Sequence, residues 1–429
     1  MALKFNHTPF AVKANRSATL FSDDLEDDSK HLNWVRPTEA YRKTLLGQLE
    51  VTPSNFPRLD YTHNECPELL LEPESTNLII HNTRLTDNHT KGGTNNNPTN
   101  ITFSNETSPV GSTAVKVANY QANTSITYTQ FGANPLGTVV SFSALVKGTA
   151  GETCTMGVNN IDRLHTFSGD WEYVKHENIV TTNKVVGFTN NNATKDKDGN
   201  TLSTPIASTA QVFLVGYIQV ETLEYCTSLI KTQDYIETRS EDNQVRTVYN
   251  NAITDVLVNN SGFELKVRAL TNGKSKRVIS LHGNNVLNHK NAIEFVYSEI
   301  PNKIEIRLLD DSNDVLSYTE LYGDIDQTDV NTFFITTTGT QLIVKVNGIE
   351  RLRKDYTIDQ TLKLESITFD QPPTSGSVGG PEIPIGGSIG TNPFYGWVSF
   401  VKVYDDTADR LNQFTAFSNY ALQTKFNIR

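Results

Sequence analysis

"FELKVRAL", residues 263–270, puts Phe263, Leu265, Val267 and Ala269 on one side of an extended chain and Glu264, Lys266 and Arg268 on the other. A period of two with one apolar side marks a strand with one buried and one wet face. "KIEIRLLDD" (303–311) repeats it, with Ile304, Ile306 and Leu308 against Lys303, Glu305 and Arg307. "TQLIVKVNGIERL" (340–352) reads as two strands around Asn347-Gly348, a pair suited to the left-handed turn of a hairpin. "GWVSFVKVYDD" (396–406) closes this series. Upstream, "SITYTQF" (125–131) aligns Ile126 with Tyr128, and "TVVSFSALVKG" (138–148) aligns Val140, Phe142, Ala144 and Val146. "WEYVKHENIV" (171–180) and "AQVFLVGYIQVE" (210–221) continue the run between Gly, Asn and Asp clusters. The chain is therefore expected to be all-β: two antiparallel sandwiches in series, at 61–240 and 241–429, after an irregular segment at 1–60. Within that segment "PTEAYRKTLLGQLE" (37–50) is the best helix candidate. The charged stretch at 236–248 is expected to join two sandwiches that fold separately.

Composition narrows the function classes. The 429 residues are 37% hydrophobic and 20% charged, with 26 Gly and 16 Pro, as in a loop-rich globular protein. A formal net charge of −11 gives no overall attraction for phosphate backbones, so nucleic acid is not an expected partner. Cys66, Cys154 and Cys226 are far apart and match no metal spacing. The start, "MALKFNHTPFAVKANRSA", lacks an apolar core of signal-peptide length, and no run is long enough to span a bilayer. Synthesis in a cytoplasm without membrane insertion is the expectation.

Motifs that could carry chemistry are weak. Gly386-Gly387-Ser388-Ile389-Gly390 matches a nucleophile elbow in letters, but Pro393 follows where that motif needs a helix. "DKDGN" (196–200) has its Gly two positions early for a calcium loop and reads as a hairpin turn; "LLDDSNDVLS" (308–317) reads as an acidic turn. No catalytic residue, metal ligand or cofactor site is expected, and the chain is not expected to be an enzyme. Trp171 and Trp397 lie inside strand-like runs and are expected to pack in cores. The stretch 371–393 is rich in Gly, Pro and Ser and reads as a long loop, with Phe394 and Tyr395 just beyond it as candidate partner-contact aromatics.

One segment resists a purely local reading: "PRLDYTHNECPELLLEPESTNLI", residues 57–79. It resembles a signature of tail-fibre-like and other surface proteins of tailed bacteriophages, matched at Pro57, Arg58, Leu59, Asp60, Tyr61, Leu71, Glu72, Pro73, Thr76, Asn77 and Leu78. "RSATLFSDD" (16–24) resembles the segment that usually precedes it. Residues 216–242 resemble the close of the jelly-roll domain that follows in such proteins, through Gln219, Val220, Glu221, Thr227, Ser228, Ile230, Thr238 and Arg239. The last 190 or so residues resemble the concanavalin-like lectin sandwich that often comes next. The resemblance implies a virion surface protein, a tail or capsid fibre or adhesin, docked on other virion proteins through residues 1–60 and meeting host surface glycan with its sandwiches. It also implies a homo-oligomer, with a trimer expected. A capsid decoration or collar component that touches no receptor is the alternative. In this frame Leu69–Leu71 is expected to be an apolar strap on the first sandwich.

Overall fold

In a computed structural model, described residues are 10–13, 16–19, 33–63, 65–79, 101–110, 113–117, 125–128, 137–158, 163–181, 186–189, 193–196, 199–210, 212–232, 235–245, 262–273, 276–283, 292–309, 318–337, 340–355, 364–368 and 394–404. Among them the chain is all-β, without an α-helix. The 371–393 loop, the 386–390 elbow and most of the acidic turn at 308–317 lie outside these residues.

The chain divides into two compact units, each discontinuous in sequence. One comprises Thr38–Pro53 and Glu74–Glu241, here the first sandwich. The other comprises Met1–Pro37, Ser54–Pro73 and Asp242–Arg429, the second sandwich. The expected boundary between 60 and 61 is thus not where the chain divides: 54–73 belongs with the C-terminal unit, and 38–53 with the jelly-roll region.

In the first sandwich one sheet runs Glu172–Val180, Val139–Gly148, Phe213–Glu221, Thr113–Val117, Ile101–Thr107, with Ser75–Asn77 and Glu237–Arg239 added beside Phe213–Glu221. The facing sheet runs Ser125–Tyr128, Val186–Thr189, Thr153–Val158, Arg163–Thr166, Ala193–Lys195, Thr201–Ile206. Its pairing of Arg163 with Lys195 is parallel; the other pairings are antiparallel. Val140, Phe142, Ala144 and Val146 meet Cys154, Met156, Val158 and Phe188 in the core, as the two-residue period requires. Gly199, at φ +87°, closes the turn between the last two strands, and the Asp196 carboxylate accepts from Asn200 N and Nδ2 at 2.8 and 3.0 Å.

Residues 37–50 do not form the expected helix. Ala40–Lys43 and Leu49–Thr52 pair as a hairpin whose turn is closed by Thr44 N to Gln48 O at 2.8 Å, with Gly47 at φ +76°. The left-handed glycine ends any helix, and Tyr41 and Leu49 pack against the buried cluster of Val110, Leu145, Tyr217 and Leu229. Tertiary packing overrides local propensity here. The tip, Leu45 and Leu46, stays exposed.

The second sandwich has one sheet in the order Ile349–Asp355, Gln341–Val346, Asn331–Thr337, Gly262–Ala269, Gly396–Tyr404, Glu68–Leu71, Arg58–Asp60. Its facing sheet runs Tyr318–Tyr322, Ile304–Leu309, Ala292–Tyr297, Lys276–Gly283, Leu364–Thr368. Phe263, Leu265 and Val267 oppose Phe295, Ile304, Ile306 and Leu308 across the core. Asn347 and Gly348, at φ +53° and +79°, make the expected hairpin.

The stretch 57–73 is no strap on the first sandwich. Arg58–Asp60 and Glu68–Leu71 form a hairpin that adds two strands to the second sandwich, pairing Leu69, Leu70 and Leu71 with Val398, Trp397 and Gly396. Leu69 and Leu71 point into that unit's core while Leu70 faces the other way. A strand satisfies its backbone groups in the sheet, which a buried strap would leave unpaired.

Candidate functional site

The residues that carry the sequence resemblance converge on two buried networks. In the second sandwich Arg58 Nη1 lies 2.5 Å from Glu72 Oε2, and Arg58 Nη2 donates to Asp242 Oδ2. Arg36 Nη1 meets Asp242 Oδ1 at 2.8 Å. All four side chains are buried, and two arginines balance two carboxylates, the arrangement that permits charge in a dry interior. The backbone is tied at the same node: Asn55 N donates to Arg36 O at 2.7 Å, and Asp242 N to Glu72 O at 2.9 Å. Sequence reading singled out Arg58 and Glu72. It missed Arg36 and placed Asp242 in a charged junction, because no local pattern shows that a charged residue has a partner 206 positions away.

In the first sandwich the second network joins the end of the same signature to the downstream match. Asn77 Oδ1 accepts from Ile79 N at 3.1 Å and Val220 N at 3.2 Å, while its Nδ2 donates to Ile230 O at 3.0 Å. Glu221 accepts from Ser75 Oγ at 2.5 Å, from Thr227 N at 2.9 Å, and from Thr227 Oγ1. Gln219 accepts from Ile230 N at 2.7 Å and from Tyr217 Oη. Burial pushes the Glu221 carboxyl above its ordinary range and the hydroxyl donors pull it back. These groups bond one another in the interior and offer nothing to a substrate. They hold the fold together.

Surface chemistry lies elsewhere. On the outer side of the second sandwich's larger sheet, a cross-strand row runs Arg58, Leu70, Trp397, Arg268. Trp397 is half-buried rather than a core residue: its Nε1 donates to Asp60 Oδ1 at 3.3 Å, and the exposed His63 ring stands at 78° to it with centroids 4.5 Å apart. Arg268 Nη1 lies 3.4 Å from His63 Nδ1. Asp60 is buried and also accepts from Thr62 N at 2.8 Å. An indole, an imidazole and a guanidinium thus share one patch. Trp171, in the first sandwich, is also half-buried, and its Nε1 donates at 3.0 Å to Glu106, which Lys147 holds at 2.7 Å. The Lys147 ammonium keeps the Glu106 carboxyl below its ordinary range.

Of the two contact aromatics expected from sequence, Phe394 is corrected. It is buried in the second sandwich, 6.3 Å from the Tyr297 ring, and offers no surface. Tyr395 is half-buried, its carbonyl accepting from Leu270 N at 3.0 Å. Among the described residues no three His, Cys, Asp or Glu side chains gather as metal ligands. Cys66 is exposed and Cys154 and Cys226 are buried, none of them in a disulfide.

No family model and no curated protein sequence matches the chain. Solved structures give distant similarities. The chain is similar to the CBM40 of Ruminococcus gnavus IT-sialidase bound to α2,3-sialyllactose, at TM-score 0.28 and 12% identity, covering 37% of this chain and 82% of that one. It is similar to a heptameric SAP-like pentraxin from Limulus polyphemus, at TM-score 0.28 and 11% identity over 39% and 72% of the two chains. Mouse laminin α1 domains LG4-5 give TM-score 0.23 and 10% identity over 68% and 88%.

Proposed function

We propose that the chain is a virion surface protein of a tailed bacteriophage whose two β-sandwiches present recognition surfaces to host glycan. The observation that carries the reading is the use made of the signature residues. Arg58, Glu72, Asn77, Gln219 and Glu221, matched to phage surface proteins on sequence, form closed internal networks. A framework that spends its polar residues on architecture leaves function to its surfaces, where Trp397, His63 and Arg268 form a mixed aromatic and cationic patch. Attachment to the particle is assigned to residues 1–60, although the described strands within that stretch, from Phe10–Lys13 to Arg58–Asp60, belong to the two units. A homo-oligomer, with a trimer expected, would multiply a weak sugar contact.

Two measurements test this. Antibody raised against the purified chain should label phage particles, and the chain should bind a glycan array through the second sandwich. Unlabelled particles would remove the virion assignment; a blank array would leave a structural component without receptor contact. The exposed Leu45-Leu46 hairpin tip, an apolar knob for a neighbouring protein, favours that second reading.

A further inference from the structure

The row Arg58, Leu70, Trp397, Arg268 holds an arginine at each end, and the two are treated differently. Arg58 is buried between the Glu72 and Asp242 carboxylates. Arg268 is half-buried, forms no ion pair among the described residues, and meets only the His63 ring nitrogen. Its Nε is enclosed and has no hydrogen-bond partner among the described residues. A partly desolvated guanidinium without an anion is costly to keep, and its planar fork fits a carboxylate. Beside it, Trp397 and His63 offer ring surface suited to the C–H side of a pyranose. Asp60 forms no ion pair with Arg268; its Oδ1 accepts from Trp397 Nε1 and Thr62 N instead.

We propose that Arg268, His63 and Trp397 form a subsite for a pyranose bearing an exocyclic carboxylate, with the carboxylate on Arg268 and the ring against His63 and Trp397. This deepens the glycan reading above and rests on it. The net charge of −11 repels polyanions in general, so retention by an acidic polymer requires a local cation.

The test is affinity electrophoresis of the full chain in gels containing polygalacturonate, dextran sulfate or neutral dextran. Polygalacturonate should retard the wild type. Arg268→Gln should weaken that retardation by about tenfold or more, the worth of one charge-assisted bond. Arg268→Lys, which keeps charge but loses the fork, should fall between, and His63→Ala, an exposed change, should weaken binding with unaltered thermal unfolding. Equal retardation of wild type and Arg268→Gln overturns the subsite, as does Arg268-dependent binding of dextran sulfate alone. Binding to neutral dextran only overturns the acidic subsite and leaves the glycan reading standing. No retardation in any gel overturns the subsite, and the glycan array then decides the broader reading separately.

Discussion

Thr76 and Thr238 face each other across an antiparallel strand pair with their hydroxyl oxygens 2.8 Å apart, although 162 positions separate them in the chain. One belongs to the stretch 57–79 and the other to 216–242, so two segments far apart in the chain are neighbours in space. The pairing seats Ser75 and Asn77, on either side of Thr76, toward Glu221, Val220 and Ile230.

Asn77→Ala should therefore be severe. It leaves Ile79 N, Val220 N and Ile230 O without the bonds that the amide supplies. At roughly 1–3 kcal/mol per buried unsatisfied group, partly relieved by relaxation, a loss of about 3 kcal/mol is expected. Urea denaturation of the full chain measures it; a loss below about 1 kcal/mol would show that the network does not hold the strand.

Asp242→Ala should cost about 3–5 kcal/mol, because it removes from a dry interior the carboxylate that Arg36 and Arg58 share. Glu50→Ala, which breaks the exposed pair with Arg42 at 3.2 Å, should cost less than about 1 kcal/mol. Comparing the two by thermal unfolding separates buried from surface pairing. The same geometry revises the expectation of simple separate folding. A fragment starting at 245 lacks Asp242, Leu69 and Leu71, and each leucine contributes roughly 1.5–3 kcal/mol of burial. That fragment should be unstable or aggregate, and a chain of residues 54–73 fused to 242–429 should recover cooperative unfolding.

Gly396→Ala tests how the hairpin docks. A Cβ there would lie 2.0 Å from the Arg268 carbonyl oxygen and 2.8 Å from the Phe394 ring. The backbone cannot give way without breaking the pairing of Gly396 with Ala269 and Leu71. A loss of about 1–3 kcal/mol is expected, as for an overpacked core, and wild-type stability would disprove the close approach.

His176 should give the first sandwich an acid-sensitive slope. Its ring lies 5.5 Å from Phe142, its Nδ1 has no partner among the described residues, and burial, then Arg163 and His165, lower its pKa from 6.5 to about 3. The folded state resists the proton and the unfolded chain accepts it. The contribution is therefore full above pH 6.5 and is lost as pH falls toward about 3. The slope is about 1.4 kcal/mol per pH unit in that window. His176→Leu should flatten it in denaturation curves taken at several pH values; an unchanged slope would place the titration in another group.

The alternation in "FELKVRAL" and "TVVSFSALVKG" was enough to read the cores, because a half-buried strand writes its inner face at every second position. The Asn347-Gly348 turn was equally legible, since positive φ at both central positions leaves few choices of residue. Partnership between distant segments was not. Nothing local tells that Leu69 serves the core of the C-terminal unit, or that Asp242 answers Arg36. Residues 37–50 were misread because fourteen residues of fair helix propensity do not reveal that Tyr41 and Leu49 will share an apolar cluster. The Trp397 patch was half legible: the tryptophan stood out, but its neighbours His63 and Arg268 come from a turn and another strand.

Backbone bonds from Asp242 N to Glu72 O at 2.9 Å and from Asn55 N to Arg36 O at 2.7 Å close the host unit where residues 74–241 and 38–53 leave it. At each exit the two ends of the host are pinned side by side, so short bridges from Pro37 to Ser54 and from Pro73 to Asp242 would close both gaps. Such a layout would let one cassette replace another through two doorways that both open beside the Arg36, Glu72 and Asp242 node.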